Sequence, residues 1–356
     1  MLIFGKHIQP DSDEANNARR QRDLDSDQGR LFPLCRGAEE RTEDCRFEVH
    51  LSKLSCVISV RLLSSGTVHG HDPTGGPADT ARAQLSGYTK RDDLFYFEAH
   101  FAIDSASEED RFRADITTLA DELTRRRYAR TIVFITTHSV KQSGMLFIGK
   151  DKIVEVNQFM ELFFGGAMSQ VMHRATVFFL TCGGLVRNPD SFAGLQQSVT
   201  KYHLRLWAFT AFAFQPHVIN DFVLAYCKAV FIRDTKLARI GDVFAALGWS
   251  VGLHTDLVYL SPAVSGDHIA CIQRYVWSHK ERKPWGHCLP MQCPWCSCIR
   301  NWSDPVSNGP TLVFTCKSNI GRCSPRGYRF ACSPEPGYQF VHHGASDNGK
   351  WLVYKK

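Results

Sequence analysis

Two residues in this chain have types and positions suited to covalent chemistry. His138 directly follows Thr131-Ile-Val-Phe-Ile-Thr-Thr137, and Cys182 directly follows Ala175-Thr-Val-Phe-Phe-Leu-Thr181. A cysteine is a strong nucleophile as its thiolate, and a nearby imidazole can take the thiol proton and later return it to a leaving group. Gly183 and Gly184 follow the cysteine, and backbone N–H groups at such a turn can hold an oxyanion. The bland alternative is a buried, inert cysteine and a strand-end histidine. Their matched positions at two strand ends favour the chemical reading.

The two flanking runs are short, continuous, and rich in β-branched and aromatic residues, the pattern of strands covered on both faces. Between them lie a Ser143-Gly144 turn, the apolar Met145–Ile148, and a helical stretch near Glu155–His173. That order predicts a βαβ crossover, with His138 and Cys182 on one rim of a parallel sheet. Four further strands are predicted, at Ser55–Leu63, Asp93–Ala102, Leu204–Thr210 and His254–Ser261. Helices are predicted after Ser107, where Phe112, Ile116, Leu119 and Leu123 share one face, and over Ser191–Val199, His217–Arg233 and Lys236–Trp249. Ser64 to Lys90 reads as a loop on its Pro and Gly content, and residues 1–48 as a disordered polar tail. Six strands with interleaved helices predict a three-layer α/β sandwich with a mostly parallel sheet.

The stretch from His138 to Gly184 resembles the caspase-like superfamily of cysteine peptidases (caspases, metacaspases and CHAT-type domains). There a strand ends in the catalytic His, a Gly-containing hairpin and a helix follow, and the next strand ends in the catalytic Cys. His138, Gly144-Met-Leu-Phe-Ile148, Val156–Phe163 and Phe178-Phe-Leu-Thr-Cys-Gly-Gly184 stand in that order, and the match covers about Cys56 to Ser261. The resemblance implies a caspase-like fold, with His138 as general base and acid, Cys182 as nucleophile, and Ser139 and Gly183 at the oxyanion. It implies a substrate groove at Phe212, Phe214 and Gln215; the two phenylalanines read equally well as core. Ser139 stands where many relatives carry Gly, and Leu180 where caspases usually carry a Gln of the Asp pocket, so Asp specificity is not implied. The Gly183–His203 connection is short for a cleavable linker.

Composition sets the tail apart. The chain has 356 residues, 44% hydrophobic, with a formal charge of +6. Residues 279–356 hold 11 Lys and Arg against 4 Asp and Glu, a net +7, which leaves −1 for the rest. Seven of the 13 cysteines lie between Cys288 and Cys332. Clustered cysteines in a reducing compartment more often bind metal than form disulfides. Cys293-Pro-Trp-Cys296 is a C-x2-C knuckle, and Cys316 and Cys323 supply a second, looser pair. Four such thiolates suit a structural zinc. Cys298, Cys288 and Cys332 are rivals, and disulfide pairing is the alternative. Trp285, Trp295, Trp302, Tyr328, Tyr338 and Trp351 interleave with the basic residues, a pairing found in nucleic-acid binders and in protein-recognition ribbons.

These observations predict a caspase-like α/β domain over 49–278 and a basic, zinc-ribbon-like module over 279–356. The expected function is a cysteine endopeptidase acting on a protein or peptide substrate. The alternative is an inactive scaffold whose tail binds nucleic acid or a protein partner. A different cysteine hydrolase or transferase with a similar dyad is a third reading. No stretch approaches the ~18–20 apolar residues of a membrane span, and Met1–His7 is too short an apolar run for a signal peptide. The expected setting is intracellular, cytoplasmic or nuclear.

Overall fold

The structure is a computed structural model that describes residues 55–62, 75–90, 92–235, 240–245, 247–262, 270–299, 301–318, 323, 327–343 and 349–355. All of these fall in one compact unit, Val49–Lys356. The predicted polar tail, with Cys35 and Cys45, and the first part of the predicted loop after β1 lie outside the described residues.

The six predicted strands all form. They are β1 (Ser55–Leu62), β2 (Leu94–Phe101), β3 (Arg130–Thr136), β6 (Thr176–Leu180), β7 (Arg205–Phe209) and β8 (Leu257–Ser261). Two short strands, β4 (Leu146–Phe147) and β5 (Ile153–Val154), make a small hairpin between β3 and β6. The main sheet is larger than predicted: it has nine strands, not six. Cys271–Ser278 (β9), Gln339–His343 (β13) and Lys350–Lys355 (β14) complete it, in the order β2-β1-β3-β6-β7-β8-β9-β14-β13. The pairings from β2 to β7 are parallel and those from β7 to β13 are antiparallel. Two described strands of residues 279–356, β13 and β14, therefore belong to the main sheet. The chain leaves the sheet after β9 and returns to it, because Trp351, Leu352, Val353 and Tyr354 need burial against β9 and the helices above it.

Period-2 alternation along the strands divides the core into two layers. Val133, Ile135, Val177 and Phe179 face one layer, which Ala106–Arg126 covers with Phe112, Ile116, Leu119 and Leu123. Ile132, Phe134, Phe178 and Leu180 face the other, which Asn220–Tyr226 covers with Phe222, Val223 and Tyr226. The long helix starts one turn fraction earlier than read from Ser107. Ser105 is its cap, and Ser105 with Glu108 forms the reciprocal capping box. The predicted loop contains a helix, Pro77–Ser86, with Pro at its first turn and Ala78, Ala81 and Leu85 buried. Proline there pre-sets the helical φ and loses no needed N–H, so a Pro that read as loop is a helix start. The predicted His217–Arg233 helix is split into a 3-10 turn (Pro216–Ile219), an α-helix (Asn220–Tyr226) and a π-helical turn (Cys227–Ile232).

The cysteine-rich segment between β9 and β13 builds a small antiparallel sheet of Val306–Asn308 (β10), Thr311–Thr315 (β11) and Arg329–Cys332 (β12). Among the described residues no helix is long and apolar enough to cross a membrane.

Candidate active site and candidate metal centre

The strands β3 and β6 pair in parallel with Thr136 opposite Leu180. His138 and Cys182 each lie two residues beyond that last pair, so the register brings them to equivalent positions on the C-terminal rim. His138 is exposed and Cys182 is partly buried against the second core layer. Among the described residues no hydrogen bond joins the imidazole to the thiol. Apo catalytic sites often show such pairs apart, closing only around substrate.

The backbone around the two residues is tightly interlocked. Ser139 Oγ donates to the Cys182 carbonyl at 2.8 Å. His138 O accepts from Phe147 N–H at 3.0 Å, and Val140 N–H donates to Met145 O at 2.8 Å, so the hairpin is stapled to the His138 turn. A Cβ on Gly184 would lie 2.6 Å from Val140 O, and one on Gly144 2.7 Å from Gly184 O. Glycine is required at both places by this close approach, and at Gly144 also by φ of +71°.

Gly183, expected at the oxyanion, has a different task. Its N–H donates to Ala211 O at 2.7 Å. That bond ties the Cys182 turn to the loop after β7 and takes the amide out of use. The N–H groups of Ser139 and Cys182 donate to no acceptor among the described residues. Ser139 sits at a bridge position whose flanking residues carry the hairpin bonds, which turns its N–H away from Leu146.

The three expected groove residues separate. Phe212 is 50% exposed on the rim, with the Arg187 guanidinium 3.8 Å and the Lys141 ammonium 5.0 Å from its ring centre. Phe214 is core, stacked on Phe209 at 4.5 Å. Gln215 is exposed, and its N–H donates to His254 Nε2 at 3.1 Å. Burial, with His217 nearby, holds His254 below its ordinary range. Arg187 was not singled out in the sequence; it lies five residues after Cys182, at the end of the first helical turn, and its Nε donates to Thr210 O at 2.9 Å.

The cysteines sort cleanly. Cys293, Cys296, Cys316 and Cys323 have sulfurs all within 4.8 Å of one another. Cys293 and Cys323 are 3.4 Å apart, and Cys296 and Cys316 3.7 Å. Tetrahedral zinc with Zn–S bonds near 2.3 Å needs sulfurs about 3.8 Å apart, so the set fits that ion. Three of the four are buried, as a structural site requires. The N–H of Cys298 holds the Cys296 thiol down to about 6, while burial pushes Cys316 and Cys323 up to about 12. Of the rivals, Cys332 packs with Leu312 and Phe314, and Cys288 is exposed away from the cluster. Cys298 stays close, 3.2 Å from Cys296 and 3.3 Å from Cys316. The eleven described cysteines are all free in this structure.

No family model matches this chain. No curated protein matches it either. Among solved structures, it is similar to a secreted C11 cysteine protease from Bacteroides thetaiotaomicron in complex with an irreversible peptide inhibitor. The identity is 9% and the TM-score 0.27, over 58% of this chain and 66% of that one. At that score nothing about this chain's chemistry is drawn from the likeness.

Proposed function

We propose that this chain is a caspase-like cysteine endopeptidase whose catalytic pair is His138 and Cys182. The observation that carries the reading is the parallel β3–β6 register, which sets both residues two positions past the same paired rung. His138 takes the Cys182 proton as the sulfur bonds to the scissile carbonyl carbon. The Ser139 and Cys182 N–H groups, rather than that of Gly183, stabilise the resulting oxyanion. The tetrahedral adduct collapses, the C–N bond breaks, and His138 returns the proton to the departing amine. Water, deprotonated by the same imidazole, then hydrolyses the thioester and frees Cys182. Phe212, held by Arg187 and Lys141, is the groove wall beside this rim.

The first test is alkylation with iodoacetamide at pH 7, read by mass spectrometry for wild type and His138→Ala, followed by a peptide library. The reading expects Cys182 to label fastest among cysteines outside the metal cluster and to lose that lead in the variant. It expects hydrolysis that Cys182→Ala abolishes. Cleavage undiminished in Cys182→Ala rejects it.

The four-cysteine cluster is proposed as a structural zinc site that holds the segment between β9 and β13 in shape. One observation favours a second role for that segment. Trp295, between the first two cysteines, is 52% exposed with the Tyr328 ring 5.4 Å away. An aromatic pair on a basic knuckle can stack on a nucleobase or pack on a protein partner, and this is the work left to the chain if the dyad is inert. A fluorescence titration of Trp295→Ala against wild type with single-stranded nucleic acid separates those two partners.

A further inference from the structure

The rim opposite His138 and Cys182 carries a cavity of about 400 Å³. It lies at the N-terminal ends of β3, β6 and β7 and is lined by Arg130, His173, Arg174, Arg205, Phe231 and Asp234, among others. Arg130 opens β3 and His138 follows its far end, eight residues later, so the two rims are about 25 Å apart at strand rise. Whatever occupies this cavity does not touch the candidate dyad.

Three arginines line it: Arg130 and Arg205 open β3 and β7, and Arg174 lies in the turn two residues before β6. The ladder begins just inside them, with Ile132 paired to Thr176 and Thr176 to Arg205. Arg130 is anchored: it donates to the carbonyls of Val230 and Phe231 and pairs with Asp234. Among the described residues Asp234 is the one carboxylate lining the cavity, and Arg130 neutralises it. Among the described residues Arg174 and Arg205 have no carboxylate partner. The lining therefore carries two uncompensated guanidinium groups. The field is felt locally: burial first, then His203 and Arg174, hold His173 below its ordinary range.

The backbone here is also unusual. Arg174 and Asp234 both line the cavity with φ of +65° and +53°. His203, with φ of +51°, accepts the Arg174 N–H at 2.9 Å and sets its ring 5.0 Å from that of His173. Left-handed backbone at a side chain with a Cβ costs energy and gathers where function demands a geometry.

From this convergence we infer that the cavity is a binding site for a small phosphorylated ligand. Guanidinium forks match the paired oxygens of a phosphate, and two unpaired forks on a third, anchored one suit a polyanionic group. The volume is that of a small-molecule pocket, too confined for a folded acidic partner. The ligand would bridge the first residues of three strands and the end of the π-helical turn.

Inorganic pyrophosphate is the probe. Isothermal titration of the full chain at pH 7 and low salt is expected to show one saturable site for wild type. Arg174→Gln and Arg205→Gln are each expected to weaken it about tenfold, the worth of one charge-assisted contact. Lys350→Gln, in the basic tail, is expected to leave it unchanged. Arg174 is exposed, so its variant reports binding without disturbing the core; matching melting curves without ligand check this. No saturable binding at millimolar pyrophosphate overturns the inference. So does affinity unchanged in Arg174→Gln, or a loss that follows Lys350→Gln instead. Tighter binding of citrate than of pyrophosphate overturns the assignment to phosphate.

Discussion

Ser139 Oγ donates a 2.8 Å hydrogen bond to the Cys182 carbonyl oxygen, and so fastens the turn after β3 to the turn after β6 across the rim. The bond joins the two loops that carry the candidate base and nucleophile. Ser139 thus has a structural task. Ser139→Ala leaves that carbonyl short of one partner in a half-buried place. The expected cost is about 1 kcal/mol, the net worth of a typical hydrogen bond. Urea denaturation of the two proteins measures it, and an unchanged midpoint shows that the bond contributes nothing.

Gly184 is constrained from the same side. A Cβ there would sit 2.6 Å from Val140 O and 3.0 Å from Ser139 Oγ. Backbone cannot yield as a side-chain tip can, so Gly184→Ala is expected to destabilise by about 1–3 kcal/mol, as overpacking does. Gly87→Ala is the matched control, because its nearest atom, Gln84 O, would be at 3.7 Å. Its midpoint is expected to move far less. Equal shifts in the two variants reject the steric account.

The rim was legible in the sequence because its signal is local. Continuous apolar runs ending in His138 and Cys182 need only a strand period and a parallel crossover to be placed together. The fate of Gly183 was not legible, since Ala211 lies 28 residues further on and nothing local marks that bond. Phe212 and Phe214 alternate identically in sequence, yet one stacks on Phe209 in the core and the other meets Arg187 and Lys141 at the surface. Strands β13 and β14 were missed for another reason. The partner of β14 is β9, whose Ser278 pairs with Lys350 72 residues later, and β13 pairs with β14 in turn, while the basic, cysteine-rich composition around them reads as a separate module. The knuckle Cys293–Cys296 was legible from spacing alone, whereas the nearness of Cys298 came from the turn itself, where Ser297 takes φ of +58°.

That turn bears on metal binding. The mutual spacing of Cys293, Cys296, Cys316 and Cys323 predicts one zinc per chain, measured by plasma mass spectrometry of the purified protein. Cys323→Ser removes a buried ligand and is expected to lose most of the metal and lower the melting temperature. Cys298→Ser is expected to keep the metal, because of the four clustered cysteines its sulfur adjoins Cys296 and Cys316, not Cys293 or Cys323. Chelation of the wild type is expected to mimic Cys323→Ser, since the binding energy of a structural zinc is folding energy. Loss of zinc from Cys298→Ser, with retention in Cys323→Ser, would assign the fourth ligand to Cys298.

His254 links the loop after β7 to the helix Trp249–His254, and it does so only when neutral. Its Nε2 accepts the Gln215 N–H at 3.1 Å, which a protonated imidazole cannot do. Burial, with His217 as the lesser cause, depresses its pKa in the folded state. The unfolded chain therefore binds the proton more readily than the native one. The contribution is complete above the unfolded histidine value, near 6.5, and is lost as pH falls through the lower folded value. His254→Gln keeps an acceptor for Gln215 and removes the titration. Melting temperatures between pH 7.5 and pH 5 are expected to fall less steeply for the variant than for wild type. Parallel slopes would mean that His254 is protonated equally in both states, and that the Gln215 bond exerts no pull on its proton.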